Sequence, residues 1–139
     1  MILLDAGGLF AALNPDRPDH EAALQVLTSQ PPPLVLSPFV FAELDYFVVT
    51  RGGVTPELEL LDEVARGVYE LAPFDAGDVA AAREVVRQYR DLEIGLADAS
   101  IVVLADRYRT NRVLTLDERH FRAMRTPRGE PFTILPADA

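Results

Sequence analysis

Short apolar runs alternate along this chain with longer stretches of helical periodicity. Ile2-Leu3-Leu4, Leu34-Val35-Leu36 and Arg112-Val113-Leu114-Thr115-Leu116 read as short buried strands, the first ending at Asp5 and the last followed by Asp117. Val68–Ala72 and Phe132–Leu135 read as two more. Between them the periodicity predicts helices, and capping chemistry marks where they begin. Ala6-Gly7-Gly8 leads into a helical Leu9–Leu13, and Asp19 is placed to cap a helix from His20 to about Ser29. Ser37-Pro38 opens a helix through Phe39–Arg51 that stops at Gly52-Gly53. Thr55-Pro56-Glu57 repeats the start signal for a helix reaching Arg66, and Asp75 caps another to about Arg90. Ile94 to Phe121 then joins a helix, a turn, a strand and a carboxylate in one unit.

This alternation, without repeats, low-complexity tract or linker, predicts an α/β fold: a central, mainly parallel sheet of four to five strands with helices on both faces, and residues 1–139 as a single domain. Sites in such open sheets form beyond the carboxyl ends of the strands, where Asp5 and Asp117 both fall. If the first and fourth strands are neighbours, the two carboxylates meet. On a 3.6-residue wheel Asp98 shares a side with Ile101, Val102 and Ala105, so it points into an apolar face where an unpaired charge is costly. Glu43 lies about 90° from the centre of the Val40, Leu44, Phe47, Val48 stripe, at the border of the core. Each acid also has a plain structural use: Asp5, Asp98 and Asp117 as helix caps or turn residues, Glu43 as half of a boundary ion pair.

Composition narrows the chemistry. With no cysteine and no lysine among 139 residues, disulfides, thiolate zinc sites, a P-loop lysine, a Schiff base and a receiver-type lysine are all excluded. No serine lies in a nucleophile-elbow pattern, and His20 and His120 sit in separate contexts without a partner at ligand spacing. The apolar N-terminus carries Asp5 and lacks a basic leader, which suits a first strand and helix in a cytoplasmic protein, and no run is long enough for a membrane span. A net charge of −9 opposes general affinity for nucleic acid, but the charge is uneven. Seven arginines lie between Arg107 and Arg128 against only Asp117 and Glu118. That run is either a solvated surface or an anion-binding rim beside an acidic pocket. Several acids delivered to strand ends suit a hard divalent cation such as Mg²⁺, and a cation so held suits phosphodiester hydrolysis.

The residues also carry a family resemblance over nearly the whole chain. The strand ending at Asp5, the Ser37-Pro-x-x-x-Ala-Glu43 helix, Leu96-Ala-Asp98-Ala and Thr115-Leu-Asp117 with Phe121 resemble the PIN-domain ribonucleases, specifically the VapC-type toxins of VapBC toxin–antitoxin pairs. The resemblance implies a PIN-like three-layer α/β/α sandwich in which Asp5, Glu43, Asp98 and Asp117 hold one or two Mg²⁺ or Mn²⁺ ions. It further implies endonucleolytic cleavage of RNA, inhibition by a VapB-type antitoxin whose tail covers the site, and a homodimer. Glu43-Leu-Asp-Tyr and Asp106-Arg-Tyr-Arg are similar to mycobacterial members that cut the sarcin–ricin loop of ribosomal RNA, while other relatives cut transfer RNA. Arg112 and Arg119 are then the candidate RNA-facing residues of the arginine run. One departure stands out: many relatives follow the first aspartate with a hydroxyl residue, and here the next two positions are Ala6 and Gly7. Two other functions fit the same inventory, a metal-dependent phosphohydrolase acting on small esters and a non-catalytic partner-binding module.

Overall fold

A computed structural model describes residues 1–139. Five short strands, β1 (Ile2–Leu4), β2 (Leu34–Leu36), β3 (Glu70–Leu71), β4 (Arg112–Leu114) and β5 (Thr133–Leu135), form one sheet in the order β3-β2-β1-β4-β5. Every pairing is parallel. The helices are α1 (Ala6–Leu13), α2 (His20–Ser29), α3 (Pro38–Gly52), α4 (Val54–Ala65), α5 (Ala76–Gln88), α6 (Leu96–Tyr108) and α7 (Glu118–Ala123). They flank the sheet, as the continuous apolar character of β1, buried at all three residues, requires. No helix is long and apolar enough to cross a membrane.

Strand order decides where a site can form. From β1 the chain steps outward to β2 and β3, then returns past β1 to β4 and β5 on its other side. The direction of winding reverses at β1, and at such a switch point the loops leave opposite ways and open a crevice beyond the strand ends. Leu4 pairs with Leu114, so the residues that follow each strand emerge side by side.

Several helix starts obey local chemistry. The Ser37 hydroxyl caps α3 by accepting from Phe39 N at 3.2 Å, with Pro38 in the first turn. Asp75 and Asp78 form a reciprocal capping box on α5. Others differ from expectation. The Asp19 side chain makes no capping bond to α2. α4 begins at Val54 rather than after Thr55, because Gly53 ends α3 and starts α4 at once with a φ of 83°, a conformation open to glycine and closed to threonine. α1 starts at Ala6, directly after the strand, so Ala6-Gly7-Gly8 is helix rather than turn. α5 stops at Gln88, and a single 3₁₀ turn, Arg90–Leu92, follows.

Candidate active site

Few polar side chains are buried, and their positions are informative. They are Asp5, Ser37, Ser100, Thr115 and Thr126. Four of these five lie where strands end or helices begin around the switch point; Thr126 lies in the loop after α7.

Asp5 leaves β1 and caps α1. Its Oδ1 accepts from Ala6 N at 3.0 Å and its Oδ2 accepts from the Thr115 hydroxyl at 2.5 Å. Thr115 follows β4, and its Oγ1 also accepts from Asp117 N at 2.9 Å. One hydroxyl thereby ties the first aspartate to the backbone that carries the last. Neither Ala6 nor Gly7 offers a hydroxyl, and the one that reaches Asp5 comes from the residue after β4. Asp117 caps α7, with Oδ1 accepting from His120 N at 3.0 Å. Asp98 lies in the first turn of α6, where the helix dipole favours a negative charge, but Gly95 occupies the cap position. Asp98 therefore does not serve as a cap.

The electrostatics record crowding. Burial, opposed by the Thr115 hydrogen bond and reinforced by the Asp98 and Glu43 charges, pushes the Asp5 carboxyl up to about 7. Burial and the Asp117 charge push Asp98 up to about 6, against the partial relief that His120 provides. Glu43 is itself exposed on α3, yet its charge is felt by both buried aspartates. The four expected acids thus belong to one field at one edge of the sheet. A pair of buried hydroxyls braces the frame: Ser37 and Ser100 Oγ atoms lie 2.6 Å apart, and Ser100 donates to Ala97 O at 2.6 Å. Ser100 spends its proton on that carbonyl, so Ser37 donates to Ser100 and locks the start of α3 to the start of α6. That contact sets the helix of Glu43 against the helix of Asp98.

His120 is the residue that sequence spacing passes over. Its Nδ1 lies 2.8 Å from Asp117 Oδ2 and 3.4 Å from Asp98 Oδ2. One donor atom from each of Asp98, Asp117 and His120 falls within 4.8 Å of the other two, close enough to share a cation. The available signal was the three-residue step from Asp117 to His120 on a helix, which puts both on one face. The donor set suits a divalent metal: it is mostly carboxylate oxygen, and Asp98 is pushed up by burial and by the Asp117 charge, which a cation would offset.

The arginine run divides. Arg107, Arg122 and Arg128 are ion-paired with Asp78, with Glu118 and Asp138, and with Asp106. Arg119 is exposed on α7, two residues past Asp117, with no ion-pair partner. Arg112 begins β4, and its Nε donates to Gln30 Oε1 at 3.2 Å. It sits three residues before Thr115, roughly 10 Å back along the strand, and the structure does not bring it to the acids.

The sequence and the fold are both similar to those of known proteins. The model of the PIN domain family matches residues 2–126. Ribonuclease VapC26 of Mycobacterium tuberculosis (strain ATCC 25618 / H37Rv) is 47% identical over 135 residues, spanning 97% of this chain and 100% of that protein. The fold matches that of Mycobacterium tuberculosis VapC20, a sarcin–ricin loop cleaving toxin, with a TM-score of 0.78 at 18% identity over 86% of this chain and 92% of that one. It also matches VapBC2 from Rickettsia felis, solved bound to a DNA fragment from its promoter, with a TM-score of 0.67 at 20% identity over 96% and 98% of the two chains.

Proposed function

This chain belongs to the PIN domain family, and we propose that it is a divalent-metal-dependent endoribonuclease toxin restrained by a VapB-type antitoxin. The observation that carries the reading is the field of Asp5, Glu43, Asp98 and Asp117 at the switch point, with two carboxyls pushed up to about 7 and about 6. Buried carboxyls held beside other acids in this way are a poor structural device and a good cation trap. When bound, Mg²⁺ or Mn²⁺ supplies Lewis acidity, acidifying water and offsetting charge on the phosphate oxygens during in-line displacement.

The protein groups have separable tasks in this proposal. Asp5 and Asp98 provide the buried donors, and Asp117 and the exposed Glu43 complete the set from α7 and α3. Thr115 orients Asp5 and stabilises its ionised form. His120 either donates Nδ1–H to Asp117 or, unprotonated, offers that nitrogen beside the carboxylate oxygens. RNA is the substrate, as the name of the 47% identical relative indicates, and ribosomal and transfer RNA both fit this reading. We treat residues 1–139 as one cytoplasmic domain, since β5 lies beyond the matched residues yet pairs with β4. Exposed Tyr46 on α3 and Leu58 on α4, 65% and 60% accessible, suit an antitoxin helix or a second copy of the chain.

Antitoxin-free protein incubated with total RNA should cleave it in Mg²⁺ or Mn²⁺ and not in EDTA. Intact RNA under every metal condition would sink the proposal. Thr115→Val removes the hydroxyl while keeping the shape, and should weaken Mn²⁺ binding about 10- to 100-fold. Calorimetric titration of Mn²⁺ into both proteins checks this, and equal affinities would leave Thr115 only a packing role.

A further inference from the structure

A cleft of about 320 Å³ opens beside the acids, lined by Asp5 and Asp117, by Phe10 and Phe47, and by two arginines outside the Arg107–Arg128 run, Arg17 and Arg51. Neither arginine forms an ion pair, although two aspartates line the same cleft. Of the 13 arginines, six are ion-paired: Arg66, Arg83, Arg87, Arg107, Arg122 and Arg128. Arg17 goes further. Its Nε is buried without any hydrogen-bond partner, in a chain where such atoms are rare. Its backbone is nonetheless held, since Arg17 N donates to Asn14 O at 3.1 Å and Arg17 O accepts from His20 N at 3.1 Å. Arg51 comes from the last turn of α3, and its guanidinium carbon lies 5.6 Å from the centroid of the Phe10 ring, which steadies it in the cleft.

A desolvated guanidinium donor without an acceptor marks a place for an anion from outside the protein. With a net charge of −9 the chain as a whole repels RNA, so cations next to the acids must supply the local attraction. We propose that Arg17 and Arg51 form a phosphate-binding subsite that holds the RNA backbone beside the scissile linkage. The proposal rests on the nuclease reading above and deepens it: Asp5 and Asp117 face the bond to be cut, and the arginines hold a neighbouring phosphodiester across the same cleft. The planar fork of each guanidinium suits two phosphate oxygens, and the ring beneath Arg51 keeps it from folding back onto the acids.

The test uses the Asp98→Asn protein in EDTA, where it should not cleave, and labelled poly(U), since binding to phosphate is independent of sequence. Combined Arg17→Gln and Arg51→Gln should weaken poly(U) binding at least tenfold at low salt. The salt slope should fall by about 0.7 for each phosphate that is no longer neutralised. Lysine at both positions should restore the slope but only part of the affinity, because the charge returns without the fork. Mn²⁺ affinity, measured with Asp98 intact, should not fall, since removing nearby cations can only favour a bound cation. Unchanged RNA affinity and slope would overturn the subsite, as would failure of the parent to bind poly(U) at low salt. A parallel drop in Mn²⁺ affinity would also overturn it, because the arginines would then act by shaping the acids. So would weakened antitoxin binding with RNA binding intact, which would make protein carboxylates the occupant. RNA binding through these arginines, with no RNA cut in any metal by the protein that keeps Asp98, would sink the nuclease reading and leave the subsite standing.

Discussion

Asp98→Asn should lower metal-dependent RNA cleavage by roughly 10²- to 10³-fold at saturating Mn²⁺ while leaving the metal-free protein at least as stable as the parent. The first half follows from what a cation contributes. Lewis-acid stabilisation of phosphoryl charge is worth several kcal/mol, and each 1.4 kcal/mol is about tenfold in rate. Asparagine keeps the shape but loses the charge that holds the ion. The second half follows from burial: Asp98 is a poorly solvated carboxylate facing Asp117 and Glu43, and neutralising it removes that repulsion. A helix cap would behave in the opposite way, losing stability when replaced. Initial rates on a mapped RNA substrate and denaturant melts in EDTA separate the two. Activity within tenfold of the parent would exclude Asp98 from the metal set.

The same shifts set a pH dependence whose direction is unusual for carboxylates. Asp5 and Asp98 have folded values of about 7 and about 6, against an ordinary value of 3.8. Between about pH 4 and 7 the folded state holds more protons than the unfolded one, so metal-free stability falls as pH rises. The contribution is fully present below about pH 4 and is gone above about pH 7. For Asp98, discounted for the water that reaches a partly open crevice, the loss amounts to about 1–2 kcal/mol. In the Asp98→Asn protein the slope should shrink to the Asp5 part. Divalent cation should restore stability at pH 8 and matter least at pH 5, where protons compete for the same oxygens.

How far the sequence carried these conclusions depends on the range of each signal. Ser37-Pro38 and Asp75 are local chemistry and were legible as helix starts. The apolar runs that became β1, β2 and β4 were equally clear, and the aspartates past β1 and β4 line one cleft, because Leu4 pairs with Leu114. Nothing local indicated that the Thr115 hydroxyl would reach back 110 positions to Asp5, or that the Ser37 and Ser100 hydroxyls would bond across 63. Arg112 shows a different limit of the sequence, since the structure places it away from the acids. A cluster of arginines in sequence is not a cluster in space when a strand runs through it, and the first residue of β4 lies at the opposite end from the last. Arg17 and Arg51 were invisible as a pair, since a loop and a helix end, 34 positions apart, form the cleft together. Asp19 shows the converse, a residue of the right type at a helix start whose side chain makes no capping bond.

Gly8→Ala should destabilise the protein by about 1–3 kcal/mol and carry activity down with it. Gly8 lies in the first turns of α1, where that helix crosses the end of β4. A Cβ there would stand 2.5 Å from Leu114 O, 2.7 Å from Leu114 C and 2.9 Å from Thr115 N, all of them backbone. None of these atoms can swing aside as a side chain would. Leu114 O accepts from Asp5 N at 3.0 Å, and Thr115 N donates to Leu135 O at 3.1 Å, so the strand end is held from both sides. The helix must lift instead, and Asp5 caps that helix while bonded to Thr115. A single methyl therefore strains the contact that joins the first aspartate to the strand carrying the last. Gly7 supplies the control, because it is also helical but a Cβ there meets nothing within 4 Å. Gly7→Ala should gain roughly 0.5–1 kcal/mol from lower backbone entropy in the unfolded chain. Opposite signs at adjacent glycines, measured by urea unfolding in EDTA, would establish that the close approach of α1 to β4 fixes the site. Equal stability of the two variants would mean that α1 can shift without cost, and that the Asp5–Thr115 contact does not depend on it.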